Sequence, residues 1–366
     1  MQSVLTSWGR MAYERRAGDG PALILLHGTG CSSEGWCGVV AQLPAQMAYV
    51  ALDFRGHGQS TVPTAPFTLD DLASDVLDLL SQLRLEEVWL AGHSLGGMVA
   101  MAVAERSAAA CGLVLLEGWT RLAVVQQAYE PGRFYGALGA EAIATIEEQH
   151  RAMREGFGPG LWAHFWASVE RFDAAPYLAR ATIPIWEVYG GMGQRPGARE
   201  ALAVPERPNI HELWIPDAGH YLPHERPREV AAACLQALIE GDNTRPWYHG
   251  SPLMLASLRP GSTITRDRAL ARVFSHKPTL VVQDVDERGE HILKHSGAQP
   301  GFLYRIAEDL RPGDVYPHPR TTMSPGQEWL TLRTLRVELI ERTAIVASEI
   351  LTTAEIKALA RGPKKQ

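Results

Sequence analysis

Long apolar runs are missing from this sequence: none approaches the roughly 18 residues that a membrane-spanning helix needs, and the strongest, such as residues 22–26, are strand-sized. A soluble chain with no membrane partner is expected. The segment MQSVLTSWGRMAYERR has no hydrophobic block that would drive secretion, which points to the cytoplasm. Cysteine is scarce, with four in 366 residues (Cys31, Cys37, Cys111 and Cys234), no CxxC pair and no accompanying histidine spacing. That argues against a disulfide framework and a structural zinc site, leaving free thiols and no metal as the expectation. Lysine is absent from residues 1–245, where 18 arginines face 28 acidic residues, whereas residues 246–366 hold 17 lysines plus arginines against 13 acids. The formal charge passes from −10 to +4 between these regions. So mild a surplus implies no nucleic-acid partner.

What is present is ordinary globular material, since 46% hydrophobic and 21% charged residues rule out disorder, collagen and simple repeats. The polar breaker cluster at residues 241–246, directly after a helical pattern at 227–240, marks a junction. One domain is expected over residues 1–241 and a smaller one over 247–366. In the first, short apolar runs at 22–26, 48–52, 88–91, 113–116, 183–188 and 211–215 alternate with amphipathic stretches. This is the pattern of an α/β architecture with a mostly parallel sheet covered by helices. Residues 68–83 read as a helix with a threonine cap and an acidic first turn, and 95–105 as another.

The sharpest chemical signal is Val88-Trp89-Leu90-Ala91-Gly92-His93-Ser94-Leu95-Gly96-Gly97, a strand-like run that meets GxSxG and then a helix of small residues. A serine on such a tight turn has close neighbours two residues away on each side, where Gly92 and Gly96 remove the colliding side chains. Its hydroxyl then projects over the sheet's C-terminal edge, beside backbone donors at the helix start. Leu25-Leu26-His27-Gly28-Thr29-Gly30, Asp53-Phe54-Arg55-Gly56-His57-Gly58-Gln59-Ser60 and Asp217-Ala218-Gly219-His220 complete the set. In this order, the four segments resemble the α/β-hydrolase superfamily over about residues 8–241. The resemblance implies a helical cap inserted at about 121–181, an oxyanion hole from the amides of Thr29 and Leu95, and His220 as the base for Ser94. His27 and His57 are expected to hold loops. His220 and His224 are spaced i,i+4, but Pro223 lies between them with no glutamate, so metal ligation is not expected.

The third catalytic member is open. The loop after the 183–190 run, where most such hydrolases carry an aspartate, has no carboxylate through Arg199. Some relatives place the acid one strand earlier, which selects Glu117; Glu187 is the runner-up, and a Ser-His pair without an acid is the remaining reading. A serine nucleophile implies an acyl-enzyme formed from a small-molecule ester, thioester or lactone, with no cofactor. It disfavours epoxide and haloalkane opening, which use aspartate there. The cap's Phe134, Tyr135, Phe157, Trp162, Phe165, Trp166, Phe172 and Tyr177 fit either an acyl pocket or the cap's own core.

After residue 246 the pattern changes to short strand-like pieces at 279–285, 301–306 and 328–332, which suggests a small α+β domain. Trp247-Tyr248-His249-Gly250-Ser251-Pro252, Gly301-Phe302-Leu303-Tyr304 and Gly326-Gln327-Glu328-Trp329-Leu330 are similar to an ADP-ribosyltransferase-like fold of the His-Tyr-Glu type. By that resemblance, residues 270–275 would be a strand. His249 would hold a ribose hydroxyl of NAD, Tyr304 would stack on nicotinamide, and Glu328 would position the ribose. The plainer alternative is a β-rich accessory module. For the whole chain, the rival functions are a bifunctional protein that also transfers ADP-ribose and a non-catalytic ligand sensor on the hydrolase fold.

Overall fold

The computed structural model describes the chain except residues 46, 131–132, 193, 196, 242–245, 286–290, 311–313, 322, 324–326 and 361–366. It forms two compact units, Met1–Gly241 and Asp242–Gln366. Most of the expected breaker cluster at 241–246 lies outside the described residues. No helix among the described residues is long and apolar enough to cross a membrane. No disulfide joins any of the four cysteines.

The first unit is built on eight strands: β1 (Gln2–Thr6), β2 (Gly9–Arg16), β3 (Asp19–Leu26), β4 (Met47–Leu52), β5 (Val88–His93), β6 (Ala110–Leu116), β7 (Ile185–Gly190) and β8 (Ile210–Ile215). Their order is β1-β2-β4-β3-β5-β6-β7-β8, with β3 to β8 parallel. Every residue of β4, β5 and β7 is buried, as a sheet covered on both faces demands. Covering helices include Leu69–Leu83, whose Thr68 and Asp71 form a reciprocal capping box, and Leu95–Arg106. The antiparallel hairpin β1–β2 escapes the apolar-run reading because β1 is largely exposed.

β3 lies between β4 and β5, so the chain reverses its direction of travel across the sheet there. Ligands of open α/β sheets bind beyond the strand ends at such a switch point. The helix after β5 presses onto β3: a Cβ on Gly96 would lie 2.1 Å from the Leu26 carbonyl oxygen, and one on Gly92 would lie 2.2 Å from that of Gly96. Both obstacles are backbone, which cannot rotate aside. Gly96→Ala is therefore expected to cost at least about 3 kcal/mol or to prevent folding, as read by thermal denaturation.

Between β6 and β7 stand the helices Ala123–Ala128, Ala140–Arg171 and Ala175–Arg180. The long one breaks at Gly158 (φ 67°, ψ 167°), immediately before Pro159. Its aromatics divide their work. Phe157 and Phe165 pack on Phe67, at ring separations of 5.4 and 4.9 Å, whereas Trp162 and Trp166 stack 5.1 Å apart beside a cavity.

The second unit is antiparallel. One sheet has the order Ser257–Leu258, Leu335–Thr343, Gly301–Ile306, Tyr248–Ser251; smaller sheets join Thr263–Ile264, Trp329–Thr331 and Val315–Pro317, and Val281–Val285 with His291–His295. The strand expected at 270–275 is instead the helix Arg268–Ser275. Asp267 caps it by accepting from the amides of Ala269 and Leu270, and Leu270, Ala271 and Val273 are buried. A six-residue stretch with four apolar residues fits either period, and the cap decides it.

Candidate active site

Ser94 sits between β5 and its helix at φ 54°, ψ −116°, a conformation that non-glycine residues adopt only under constraint. Its amide donates to the Leu116 carbonyl (2.9 Å), which ties the turn to β6. On the far side, Gly28 closes the approach: a Cβ there would lie 3.3 Å from the Ser94 Cβ. The Leu95 amide opens the helix, where backbone donors have no carbonyl one turn back. Thr29 lies on the loop after β3. Thr29, Ser94 and His220 line one cavity of about 430 Å³, together with Phe134, Trp162 and Trp166.

His220 follows β8 and is held by its backbone, its amide donating to the Phe134 carbonyl and its carbonyl accepting from His93 Nε2, both at 2.8 Å. Its ring stacks on Trp119 (4.7 Å, 22°) and meets Phe134 edge-on (5.0 Å). Nδ1 is buried, makes no hydrogen bond, and lies 3.5 Å from Glu117 Oε2. That is longer than a formed hydrogen bond, as often found before substrate binds. Burial pushes the His220 pKa well down and that of Glu117 up, so low dielectric favours the neutral form of each.

Glu117 is fully buried at the end of β6 and is itself at positive φ (54°). Its Oε1 accepts from the Gly190 amide (2.6 Å), while Oε2 accepts from the Tyr129 hydroxyl (2.5 Å) and Trp119 Nε1 (3.3 Å). The strand end that lacks its own acid thus donates its amide to the acid of the neighbouring strand. Glu187 is equally buried, but its carboxylate accepts from the Tyr189 hydroxyl (2.9 Å) and leaves Oε1 without a partner. His27 bridges two loops: Nε2 accepts from the Phe54 amide (3.0 Å) and Nδ1 lies 2.8 Å from the Gly28 carbonyl. His57 Nδ1 lies 3.1 Å from the Arg55 carbonyl.

Two further cavity residues escaped the sequence reading, His150 and Arg154 on the long cap helix. Ile146, Met153 and Phe157 are buried on that helix, and His150 falls on the same stripe at helical spacing. That periodicity was the available signal. His150 presses on the loop after β3, since a Cβ on Gly30 would lie 2.2 Å from its ring.

In the second unit, His249 and Tyr304 are direct antiparallel partners with rings 6.4 Å apart. Glu328 immediately precedes the strand Trp329–Thr331 of another sheet, and its carboxylate accepts from the Thr321 hydroxyl. His249 Nδ1 is engaged by the Thr263 carbonyl (2.7 Å). Tyr304 is only 1% exposed, and its hydroxyl accepts from the Leu255 amide (2.8 Å) and donates to the Leu253 carbonyl (3.2 Å). The enclosed Tyr304 ring packs 6.4 Å from that of Phe302 as well as from that of His249. Gly326, part of the third similar fragment, lies outside the described residues.

Residues 23–233, more than half of the chain, match the family described as "Alpha/beta hydrolase family", and the protein belongs to it. Members of this family are hydrolytic enzymes. An uncharacterised Mycobacterium tuberculosis protein is 48% identical over 87 residues, 24% of this chain and 26% of that protein, so the match spans about a quarter of its length. The 3-oxoadipate enol-lactonase 2 of Acinetobacter baylyi is 23% identical over 232 residues, 57% of this chain and 85% of that enzyme. A thermophilic esterase from Thermogutta terrifontis is similar in fold, with a TM-score of 0.51 and 23% identity over 66% of this chain and 99% of that one.

Proposed function

We propose that the first unit is a serine hydrolase that cleaves a carboxylic ester, thioester or lactone through an acyl-enzyme on Ser94. His220 Nε2 takes the Ser94 proton as Oγ attacks the acyl carbon, and then gives it to the leaving oxygen or sulfur. Water, deprotonated by the same nitrogen, attacks the acyl-enzyme and releases the acid. The amides of Thr29 and Leu95 receive the oxyanion in both halves. Glu117 orients the tautomer with its proton on Nδ1 and stabilises the imidazolium that forms. Side chains and amides carry every step, without a metal or organic cofactor.

The observation that carries this reading is the shared cavity: Ser94, at a strained turn, and His220, 3.5 Å from a buried carboxylate, both line it. The lactonase and esterase among the similar proteins support the substrate class. Its test is covalent labelling by a fluorophosphonate, expected in the wild type and absent from Ser94→Ala. Labelling that survives the substitution refutes it by moving the nucleophile elsewhere, and no labelling of the wild type favours a ligand sensor.

For the second unit we propose an accessory role rather than transfer of ADP-ribose, since Tyr304 is enclosed and Glu328 is engaged elsewhere. Nicotinamide release from NAD is expected to be the same for the wild type and Glu328→Ala. Release by the wild type that the substitution removes would restore the NAD reading.

A further inference from the structure

Arg154 differs from its neighbour Arg151 on the same helix. Arg151 is ion-paired with Glu148 and lies 3.6 Å from Glu155, an outward arrangement of i,i+3 and i,i+4 partners. Arg154 instead lines the Ser94 cavity, and among the described residues no carboxylate lies within ion-pair distance of it. Its guanidinium lies over the Trp162 ring, 5.5 Å from the centroid, and that contact occupies none of its N–H donors. Beside it, His150 Nε2 is buried without a hydrogen-bond partner. Among the described residues, no acidic side chain lines the cavity. In a region of net charge −10, the one permanent charge that the described residues place at the wall of this aromatic cavity is positive.

We infer that Arg154 and His150 form a carboxylate subsite, so that the substrates opened by Ser94 carry a negatively charged carboxylate away from the bond that is cleaved. A planar carboxylate matches the guanidinium fork with two parallel hydrogen bonds, and His150, whose ring already donates to the Thr29 backbone, adds an Nε2 donor when the bound anion draws a proton onto it. Arg154 is exposed at the mouth of the cavity, so the pair stays partly solvated and its use is to orient the substrate more than to tighten binding. Placing this charge also places the scissile carbonyl over Ser94, the use of remote binding energy that raises the rate. The inference rests on the serine-hydrolase reading for turnover, though the subsite can be measured by binding alone.

Two measurements test it. In the first, kcat/KM is compared between the mono-p-nitrophenyl esters of succinate, glutarate and adipate and the neutral p-nitrophenyl esters of butyrate, valerate and hexanoate. The best anionic ester is expected to exceed its neutral counterpart about fivefold, and Arg154→Gln to bring that ratio near one. Arg154→Lys should restore part of it, and Arg151→Gln, on the solvent side, should leave it unchanged. In the second, calorimetry follows monoethyl glutarate and ethyl valerate binding to Ser94→Ala protein with and without Arg154→Gln. Tighter binding of the anionic ester, lost with Arg154, supports the subsite. Equal binding of the two esters, or a preference that survives Arg154→Gln, overturns it even if esters are hydrolysed. Failure to hydrolyse any ester, with no fluorophosphonate labelling, defeats the serine-hydrolase reading instead and leaves the subsite to be judged by the binding result.

Discussion

Replacing Ser94 with alanine is expected to lower kcat/KM for an activated ester by about 10⁴-fold or more. The proposed oxyanion donors and His220 remain, so some rate above solution should persist, but without an oxygen to acylate no burst of leaving group should be seen. Folding should be spared. The Ser94 side chain makes no capping hydrogen bond, so Ser94→Ala should shift stability by less than about 0.5 kcal/mol in denaturant titrations. Ser94→Gly should go further and raise stability by about 1 kcal/mol, because φ 54° with ψ −116° costs glycine little. A more stable but inactive glycine variant would show that the turn holds strain for the sake of the hydroxyl. Activity of Ser94→Ala within tenfold of the wild type would move the nucleophile elsewhere.

The turn could be read from the sequence because its constraint is local: Gly92 and Gly96 stand where backbone approaches within 2.2 Å of a missing Cβ. The place of His220 in the Ser94 cavity was legible from its position after the last strand of an ordered set of loops. His150 and Arg154 were not, since their importance depends on which way a helix of the cap faces, and that is settled by Phe67 and the loop after β3. The β1–β2 hairpin carries too little buried apolar surface to announce itself. In the second unit, short motifs identified a neighbouring pair, His249 and Tyr304, but spacing along a chain says nothing of whether a ring is enclosed. The helix Arg268–Ser275 shows the same ambiguity at the level of secondary structure, where one aspartate cap outweighs a run that also suits a strand.

Glu117→Gln is expected to lower kcat by about 10²- to 10⁴-fold, whereas Glu187→Gln should leave it within about threefold. Both carboxylates are fully buried, one strand apart, but only Glu117 approaches His220 Nδ1. An amide at 117 removes the charge that stabilises the imidazolium, and it also turns an N–H₂ toward either the Gly190 amide or the donors Tyr129 and Trp119. That donor conflict should cost a further ~1–3 kcal/mol of stability. Because burial raises the Glu117 pKa above its ordinary 4.5, wild-type kcat should keep rising with pH beyond that value as the carboxylate forms, and this limb should vanish in Glu117→Gln. The lowered pKa of His220 keeps the base neutral below its ordinary 6.5, so its acid limb falls lower still.

Glu187 supplies the contrast in stability. Burial pushes its pKa from 4.5 up to about 8. Below 4.5 the group is protonated whether the chain is folded or not, and it costs nothing. As pH rises from there to about 8, the unfolded chain releases a proton that the folded one retains, so stability falls; above about 8 the fold must hold a buried anion. At ~1.4 kcal/mol per pH unit the limiting penalty is on the order of 5 kcal/mol. Glu187→Gln mimics the protonated acid and should therefore melt like the wild type near pH 4, and increasingly above it as pH approaches 8. A large loss of burst rate at 187 with none at 117 would assign the acid to β7 and leave the amide of Gly190 bound to a purely structural carboxylate.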